Sequence, residues 1–194
     1  MNLRFIAPLM LVVLLGACQT SGTTVEKFVS FDVNNTQSLA INARRLEVVD
    51  NWLMPLAPPY VEHELQVTPA EGVIEWAKLS LTPKGGSGEL ILNISEASIK
   101  QEQLPPAEGF FDSLKDNQDI RLRVTIKAQL LWIQPVGNYQ GTAELAAKTT
   151  QTLPESATPA DYLIAKKNLV NRAIALIDGQ ARAQISSIEG IILP

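Results

Sequence analysis

The chain has 194 residues, of which 46% are hydrophobic and 19% are charged, and its formal net charge is −4. Such a composition can build a buried core and is unlike that of a disordered chain. The acidic balance and the lack of a basic run argue against a nucleic-acid partner. Cys18 is the only cysteine, which excludes an intrachain disulfide. Packing alone must therefore hold the fold.

The N-terminal segment has the features of a secretory signal. An arginine precedes an apolar run from Ile6 to Leu15. This run is shorter than the roughly 20 residues that a membrane-spanning helix needs. The small residues Gly16 and Ala17 follow it directly. We therefore predict a signal peptide over residues 1–17, with cleavage between Ala17 and Cys18.

The position of the single cysteine also indicates how the protein is attached to a membrane. The stretch from Leu15 to Cys18 resembles the lipobox of bacterial lipoproteins, in which the thiol receives diacylglycerol and the new amino terminus is acylated. The resemblance implies a lipid anchor on Cys18, and two or more acyl chains hold a protein stably on a membrane. Gln19 stands where aspartate would be, and by resemblance to enterobacterial sorting rules this implies the periplasmic face of the outer membrane rather than the inner membrane. The alternative is an ordinary secreted protein with a chance cysteine.

The mature chain is expected to form a lipidated tether over residues 18–24 and a single domain over residues 25–194. The domain begins with an alternating segment over residues 25–33, which predicts a strand. A second strand is expected from Leu39 to Val48, with a bulge near its two arginines. Three prolines between Met54 and Tyr60 exclude a helix there.

Two segments open with the same helix-capping pattern. Residues Thr68–Glu71 and Thr158–Asp161 each contain a capping hydroxyl, a proline for the first helical position and a carboxylate that can complete a capping box. The first segment predicts a helix that ends near Pro83. The second predicts a long amphipathic helix that continues towards the C-terminus.

Three strands are expected between these helices, over Glu89–Glu102, Ile120–Trp132 and Tyr139–Thr152. The middle one alternates most clearly, with apolar residues at even positions and polar residues at odd positions. This alternation is typical of a sheet that is buried on one face and solvated on the other. Together with the hairpin-like connections, it predicts an α+β fold: an antiparallel sheet with two helices packed on one face.

His63 is the only histidine, and it lies between Glu62 and Glu64. A metal site needs three or four converging ligands, which this pattern does not supply. No nucleophile–base pair can be assigned from the sequence either. We therefore expect no metal, no cofactor and no catalytic residue, and we interpret His63 as a solvent-exposed residue.

Four residues are candidates for contact with a partner or ligand. Arg121, Arg123 and Lys127 form a basic stripe on the polar face of the predicted middle strand. The stripe is either an ordinary solvated face or a surface that attracts an acidic partner or lipid headgroup. Trp132, at the end of the strand, is either a core residue or a ligand contact.

Four features together resemble the small α+β lipoproteins that accompany ABC-type envelope transporters, and the lipopolysaccharide-assembly lipoprotein. They are the lipobox ending at Cys18, the helix start at Thr68–Glu71, the strand Ile120–Trp132 and the long helix after Thr158. The segment Pro58–His63 also reads like a family signature. The resemblance implies an anchored, non-enzymatic protein, because these families have no catalytic residues.

Two hypotheses for the function follow. The first is a membrane-anchored accessory lipoprotein of the Gram-negative envelope, which binds a protein partner in envelope or lipid transport through a sheet face or an edge strand. The second is a carrier of a lipid or another amphiphile, with a pocket between helices and sheet lined by Trp76, Phe110, Phe111 and Trp132. An envelope hydrolase would need a nucleophile and a base that the sequence does not offer.

Overall fold

The computed structural model describes residues 37–105 and 118–194. The predicted signal peptide, the tether and the strand over residues 25–33 lie outside these ranges. The lipidation site Cys18 and the aromatic pair Phe110 and Phe111 lie outside them as well.

The described residues form six strands and two helices. In chain order these are β1 (Leu39–Ile41), β2 (Arg45–Asp50), α1 (Pro69–Ser80), β3 (Leu81–Pro83), β4 (Glu89–Gln103), β5 (Gln118–Gln134), β6 (Tyr139–Pro154) and α2 (Pro159–Ile185). A short 3-10 helix over Glu62–Glu64 lies between β2 and α1. The protein is therefore an α+β protein, as predicted.

The main sheet is mixed, which corrects the prediction of a purely antiparallel sheet. Its four strands lie in the order β2-β4-β5-β6. β4, β5 and β6 are antiparallel neighbours, whereas β2 runs parallel to β4 with Arg45 opposite Glu89. The reason is the connection: the chain between β2 and β4 contains α1, and such a crossover returns the chain in the same direction.

The predicted second strand is two strands rather than one strand with a bulge. The break falls at residues 42–44, and β1 pairs in parallel with β3 in a separate small sheet. The opposite side of β1 is covered by the C-terminal residues. The Asn42 N–H donates to the Ile191 carbonyl at 2.7 Å, and the Leu193 N–H donates to the Ala40 carbonyl at 2.9 Å. Both sides of β1 are therefore paired.

Both predicted helix starts are confirmed as complete capping boxes. The Glu71 N–H donates to the Thr68 hydroxyl while the Glu71 side chain accepts from the Thr68 N–H, and Thr158 and Asp161 repeat the arrangement. α1 ends at Ser80, earlier than predicted, because the residues after it leave the helix to pair with β1 as β3.

The two helices pack on one face of the sheet, as predicted. The even-numbered residues in the middle of β5 point into this interface and are at most 3% exposed; they are Leu122, Val124, Ile126, Ala128, Leu130 and Trp132. Small residues on β6 allow close packing from above. A Cβ atom at Gly141 would lie 2.7 Å from the Ile188 side chain. The helix face of the sheet is thus filled by the core, and the other face is left for solvent or partners.

Candidate functional site

The basic stripe lies on the open face of the sheet, as the alternation predicted. Arg121, Arg123 and Lys127 are each at least partly exposed there. Acidic residues of the neighbouring strand β4 lie beside them. Arg123 Nη1 is 2.9 Å from Glu102 Oε1, and Lys127 Nζ is 2.8 Å from Glu96 Oε2. The stripe is therefore partly neutralised within the protein.

The protonation behaviour of the Glu96–Lys127 pair agrees with this pairing. Burial by itself would raise the pKa of Glu96, but hydrogen bonds from Lys127 and Ser98 outweigh burial and hold the pKa below its usual value. The hydrogen bond and the charge of Glu96 raise the pKa of Lys127. Both groups stay ionised near neutral pH, so the pair offers little net charge to an acidic ligand.

Trp132 lies on the opposite face from the basic stripe. Its side chain is 1% exposed, and its Nε1–H donates to the Asn42 carbonyl at 2.8 Å. Trp76 is also buried, but its Nε1–H donates to Asp178 on α2 at 2.9 Å. The structure therefore does not bring Trp132 together with the stripe, and the two tryptophans line no common cavity.

The segment Pro58–His63 covers the far part of the β4 edge. The Gln101 N–H donates to the Pro59 carbonyl at 2.8 Å, and the Val61 N–H donates to the Ile99 carbonyl at 2.9 Å. The fully buried Glu62 accepts from the Ile99 N–H at 3.2 Å. The role of this segment, which the sequence leaves unassigned, is thus to extend the sheet beyond the end of β2.

The side chains of residues 62–64 lie in three different environments. Glu62 is buried against β4, His63 is exposed, and Glu64 forms an ion pair with the buried Lys166 of α2. Among the described residues no three potential ligands converge on one point as a metal site would require. The exposure of His63 agrees with its interpretation from the sequence.

Two glutamines of α2 cover part of the sheet edge at β6. The Glu144 N–H donates to Gln184 Oε1 at 3.0 Å, and Gln184 Nε2 donates to the Glu144 carbonyl at 2.6 Å. One turn earlier, Gln180 makes the same pair of bonds with Ala146, at 2.9 and 2.8 Å. Each side-chain amide thus bonds both the N–H and the carbonyl of a residue that directs these groups away from β5. We call these two residues the glutamine clamp.

The edge at β2 is not paired with any strand that the structure describes. The Asn51 N–H donates to the Ile94 carbonyl at 2.9 Å. The odd-numbered residues of β2 therefore direct their backbone groups towards β4. Leu46, Val48 and Asp50 therefore direct their backbone groups away from β4. No described strand pairs with them, since β2 is the outer strand of the sheet. We call Leu46–Asp50 the open edge.

An apolar groove runs beside the open edge, on the side of α1. Its volume is about 470 Å³, and its lining residues are Leu46, Val48, Ile74, Lys78, Leu81 and Pro83. Leu46 and Val48 thus contribute apolar side chains to the groove while their backbone groups face outward. This combination suits an added strand, whose alternate side chains would enter the groove.

A second groove lies between α1 and α2. Its volume is about 260 Å³, and it is lined mainly by apolar side chains, among them Leu65, Val67, Trp76, Val170 and Ile174. It lies between the helices, whereas the sequence predicted a pocket between helices and sheet. Of the four predicted lining residues, only Trp76 reaches it among those that the structure describes.

Sequence reasoning predicted an edge strand as a possible docking surface but did not identify β2 as that strand, and it missed the glutamine clamp. The clamp has a sequence signal, because Gln180 and Gln184 are four residues apart and lie on the same side of a helix. The signal is weak, since exposed glutamines at this spacing are common on any helix. The open edge depends on strand order, which only the three-dimensional structure supplies.

No protein-family model and no curated protein matches this chain. Among solved structures, the rare lipoprotein B from Shewanella oneidensis is similar with a TM-score of 0.40 and 10% identity, over 73% of this chain and 94% of that one. Protein XCC0632 from Xanthomonas campestris, of the DUF330 family, is similar with a TM-score of 0.30 and 12% identity, over 77% of this chain and 95% of that one. Neither likeness identifies a family for this chain. No helix in the described ranges is long and apolar enough to cross a membrane.

Proposed function

We propose that this protein is a non-enzymatic accessory lipoprotein of the Gram-negative envelope, which holds a partner protein through the open edge of β2. The lipobox at Leu15–Cys18 supports an anchor on Cys18, and Gln19 supports the periplasmic face of the outer membrane. One observation carries the binding role: the glutamine clamp covers the edge at β6 at Glu144 and Ala146, whereas the outward backbone groups of β2 pair with no described strand and lie beside an apolar groove.

The partner would supply an extended segment that adds a strand to the sheet. Its backbone would exchange hydrogen bonds with Leu46 and Val48, which gives affinity without specifying a sequence. Its alternate side chains would enter the groove, which selects apolar residues at every second position. Arg45 and Glu47, on the solvated face, would select charged side chains of opposite sign in the added segment. The lipid anchor raises the local concentration of the domain near membrane-bound partners.

Photo-crosslinking in intact cells tests the proposed edge. A photoreactive amino acid replaces Glu47 on β2 or, as a matched control, Glu144 on β6; both are exposed glutamates on outer strands. We expect an adduct with an envelope protein from position 47 and none from position 144. In the position-47 protein, the further change Val48→Pro removes a backbone donor of the open edge and is expected to abolish the adduct. Equal adducts from both positions would contradict the proposal.

The anchor has its own test. Cells labelled with a fatty acid should incorporate label into the protein, and Cys18→Ser should abolish the incorporation. A Cys18→Ser protein that still carries the label would refute Cys18 as the site of lipidation.

The groove between α1 and α2 supports a second candidate function, the binding of a lipid or another amphiphile. Trp76 and Ile174 help to form an apolar wall, and a volume of about 260 Å³ accepts part of an acyl chain. Mass spectrometry of organic extracts from the purified protein tests this candidate. A stoichiometric amphiphile would favour it, and an extract without one would favour the adaptor role.

A further inference from the structure

The loop over Asn51–Tyr60, here called the proline loop, projects from the edge of the sheet. It leaves β2 beside Ile94 and returns in the opposite direction beside Gln101, where its Pro59 carbonyl accepts a hydrogen bond. Its apex, around Leu53 to Leu56, therefore points towards the end of β4. The β5–β6 turn that contains Val136 lies at the opposite end of the sheet.

The apex exposes large apolar side chains to an unusual degree. Leu53 is 87% exposed, the highest fraction among large apolar side chains of the described residues, and Leu56 is 67% exposed. No residue of the proline loop is charged. Adjacent exposed apolar residues of this kind mark a surface that contacts another molecule or a membrane.

The backbone of the loop holds these leucines outward. Three prolines restrict it, and Leu56 has a φ of 54°, a conformation that is uncommon for a residue with a branched side chain. At the base, the rings of Trp52 and Tyr60 lie 6.0 Å apart, and Lys100 Nζ lies 4.9 Å from the Tyr60 ring centre. The leucines are thus presented from a fixed base, so little ordering is needed on contact.

We propose that the proline loop inserts Leu53 and Leu56 into the bilayer to which Cys18 anchors the protein. This inference rests on the anchor of the proposed function. A bilayer fits the loop better than a protein does, because the apex offers no charged group to the polar rim that surrounds protein interfaces. The amphipathic rings of Trp52 and Tyr60, at the base, are of the type enriched at membrane interfaces.

The length of the chain before β1 permits this contact. An extended chain covers about 3.3–3.6 Å per residue, so the segment from Cys18 to Gln37 reaches roughly 60 Å. β1 and β2 together, from Leu39 to Asp50, span only about 40 Å. The loop can therefore face the same membrane that holds the anchor, and the inserted leucines would fix the orientation of the domain and of the open edge.

Fluorescence labelling of the full lipidated protein tests the inference. Leu53→Cys places a thiol at the apex, and because Cys18 is acylated this thiol is the only reactive one. Val136→Cys is the matched control, since Val136 is 71% exposed on the turn at the other end of the sheet. Each protein is labelled with an environment-sensitive dye and incorporated into phosphatidylcholine vesicles.

We expect a blue shift, a several-fold rise in emission and quenching by brominated lipid at position 53, and water-like emission at position 136. An anchored protein whose dye at position 53 stays in water would overturn the inference and leave the anchor intact. A change at position 53 only after addition of envelope proteins would also overturn it, in favour of a protein partner. Reaction of Cys18 itself with the dye would overturn both the anchor and the inference.

Discussion

The two edges of the main sheet are treated in opposite ways. At β6, Gln180 and Gln184 form hydrogen bonds with the outward-facing backbone groups of Ala146 and Glu144, so these two residues are not available to another strand. At β2, the equivalent groups of Leu46 and Val48 face outward beside an apolar groove. An unprotected edge strand is an aggregation risk that proteins usually avoid. Among the described strands none covers β2, and the proposed strand addition uses this difference between the two edges.

The open edge is also limited in length. Before the start of β2, the C-terminal residues Ile191 and Leu193 pair with the chain around β1. Beyond the end of β2, the segment around Pro59 and Val61 pairs with β4. Between them, in the part of the chain that the structure describes, the open edge within β2 remains available. A window of this size accepts one short strand of a partner and restricts uncontrolled stacking of further copies.

The largest expected effect is a difference in unfolding free energy between a substitution in α2, which packs against β6, and a substitution on the open edge. Ile177 of α2 is fully buried above the sheet, so Ile177→Ala should lower the free energy of unfolding by about 2–5 kcal/mol. Val48 is half-buried beside the open groove, so Val48→Ala should cost less than about 1 kcal/mol. Urea unfolding measures both. Leu176→Ala is the control, since its side chain is 48% exposed. Equal losses from Ile177→Ala and Val48→Ala would mean that β2 is covered as well as β6.

The difference between the edges shows where sequence reasoning stops. The alternation of β5 and both capping boxes are local patterns, and the structure confirms them because neighbouring residues determine them. The direction of β2 depends on pairing with β4, a partner about forty residues away, so the expectation of an antiparallel sheet was wrong. Trp132 illustrates the same limit for the site: the alternation placed it on the apolar face, opposite the basic stripe, but only the fold shows that it is a buried core residue bonded to the Asn42 carbonyl.

The next largest effect concerns the glutamine clamp. Gln180→Ala should remove the protection of the Ala146 amide from hydrogen exchange, and Gln184→Ala should do the same for Glu144. Each variant loses two hydrogen bonds that are partly replaced by water, so the double variant should cost about 1–3 kcal/mol. The double variant should also self-associate with rising concentration, because it exposes a second open edge.

Ala147 provides the internal control for the clamp. It lies on the same strand between outward-facing residues, so its backbone groups pair with β5 opposite Ile126 and not with the glutamines. Its amide exchange should therefore be the same in the original protein and in both variants. Loss of protection at Ala147 as well would show that the variants loosen β6 as a whole, and that the glutamines are not a specific cover for the edge.

The smallest expected effect is common to both halves of the molecule, since α1 beside β2 and α2 beside β6 begin with the same cap. The backbone and hydroxyl donors of Thr68 lower the pKa of Glu71, and the hydroxyl and backbone donors of Thr158 lower the pKa of Asp161. A carboxylate whose pKa is lowered in the folded state stabilises the fold fully above its unfolded pKa, and this contribution is lost as the pH falls through the folded pKa.

Thermal unfolding between pH 7 and pH 2 should thus reveal a loss of stability below about pH 4.5. Glu71→Gln and Asp161→Asn should each remove part of that loss. If Glu71→Gln alone removed all of it, the acid response would belong to the α1 side, and the comparison between the two edges would extend to their helices.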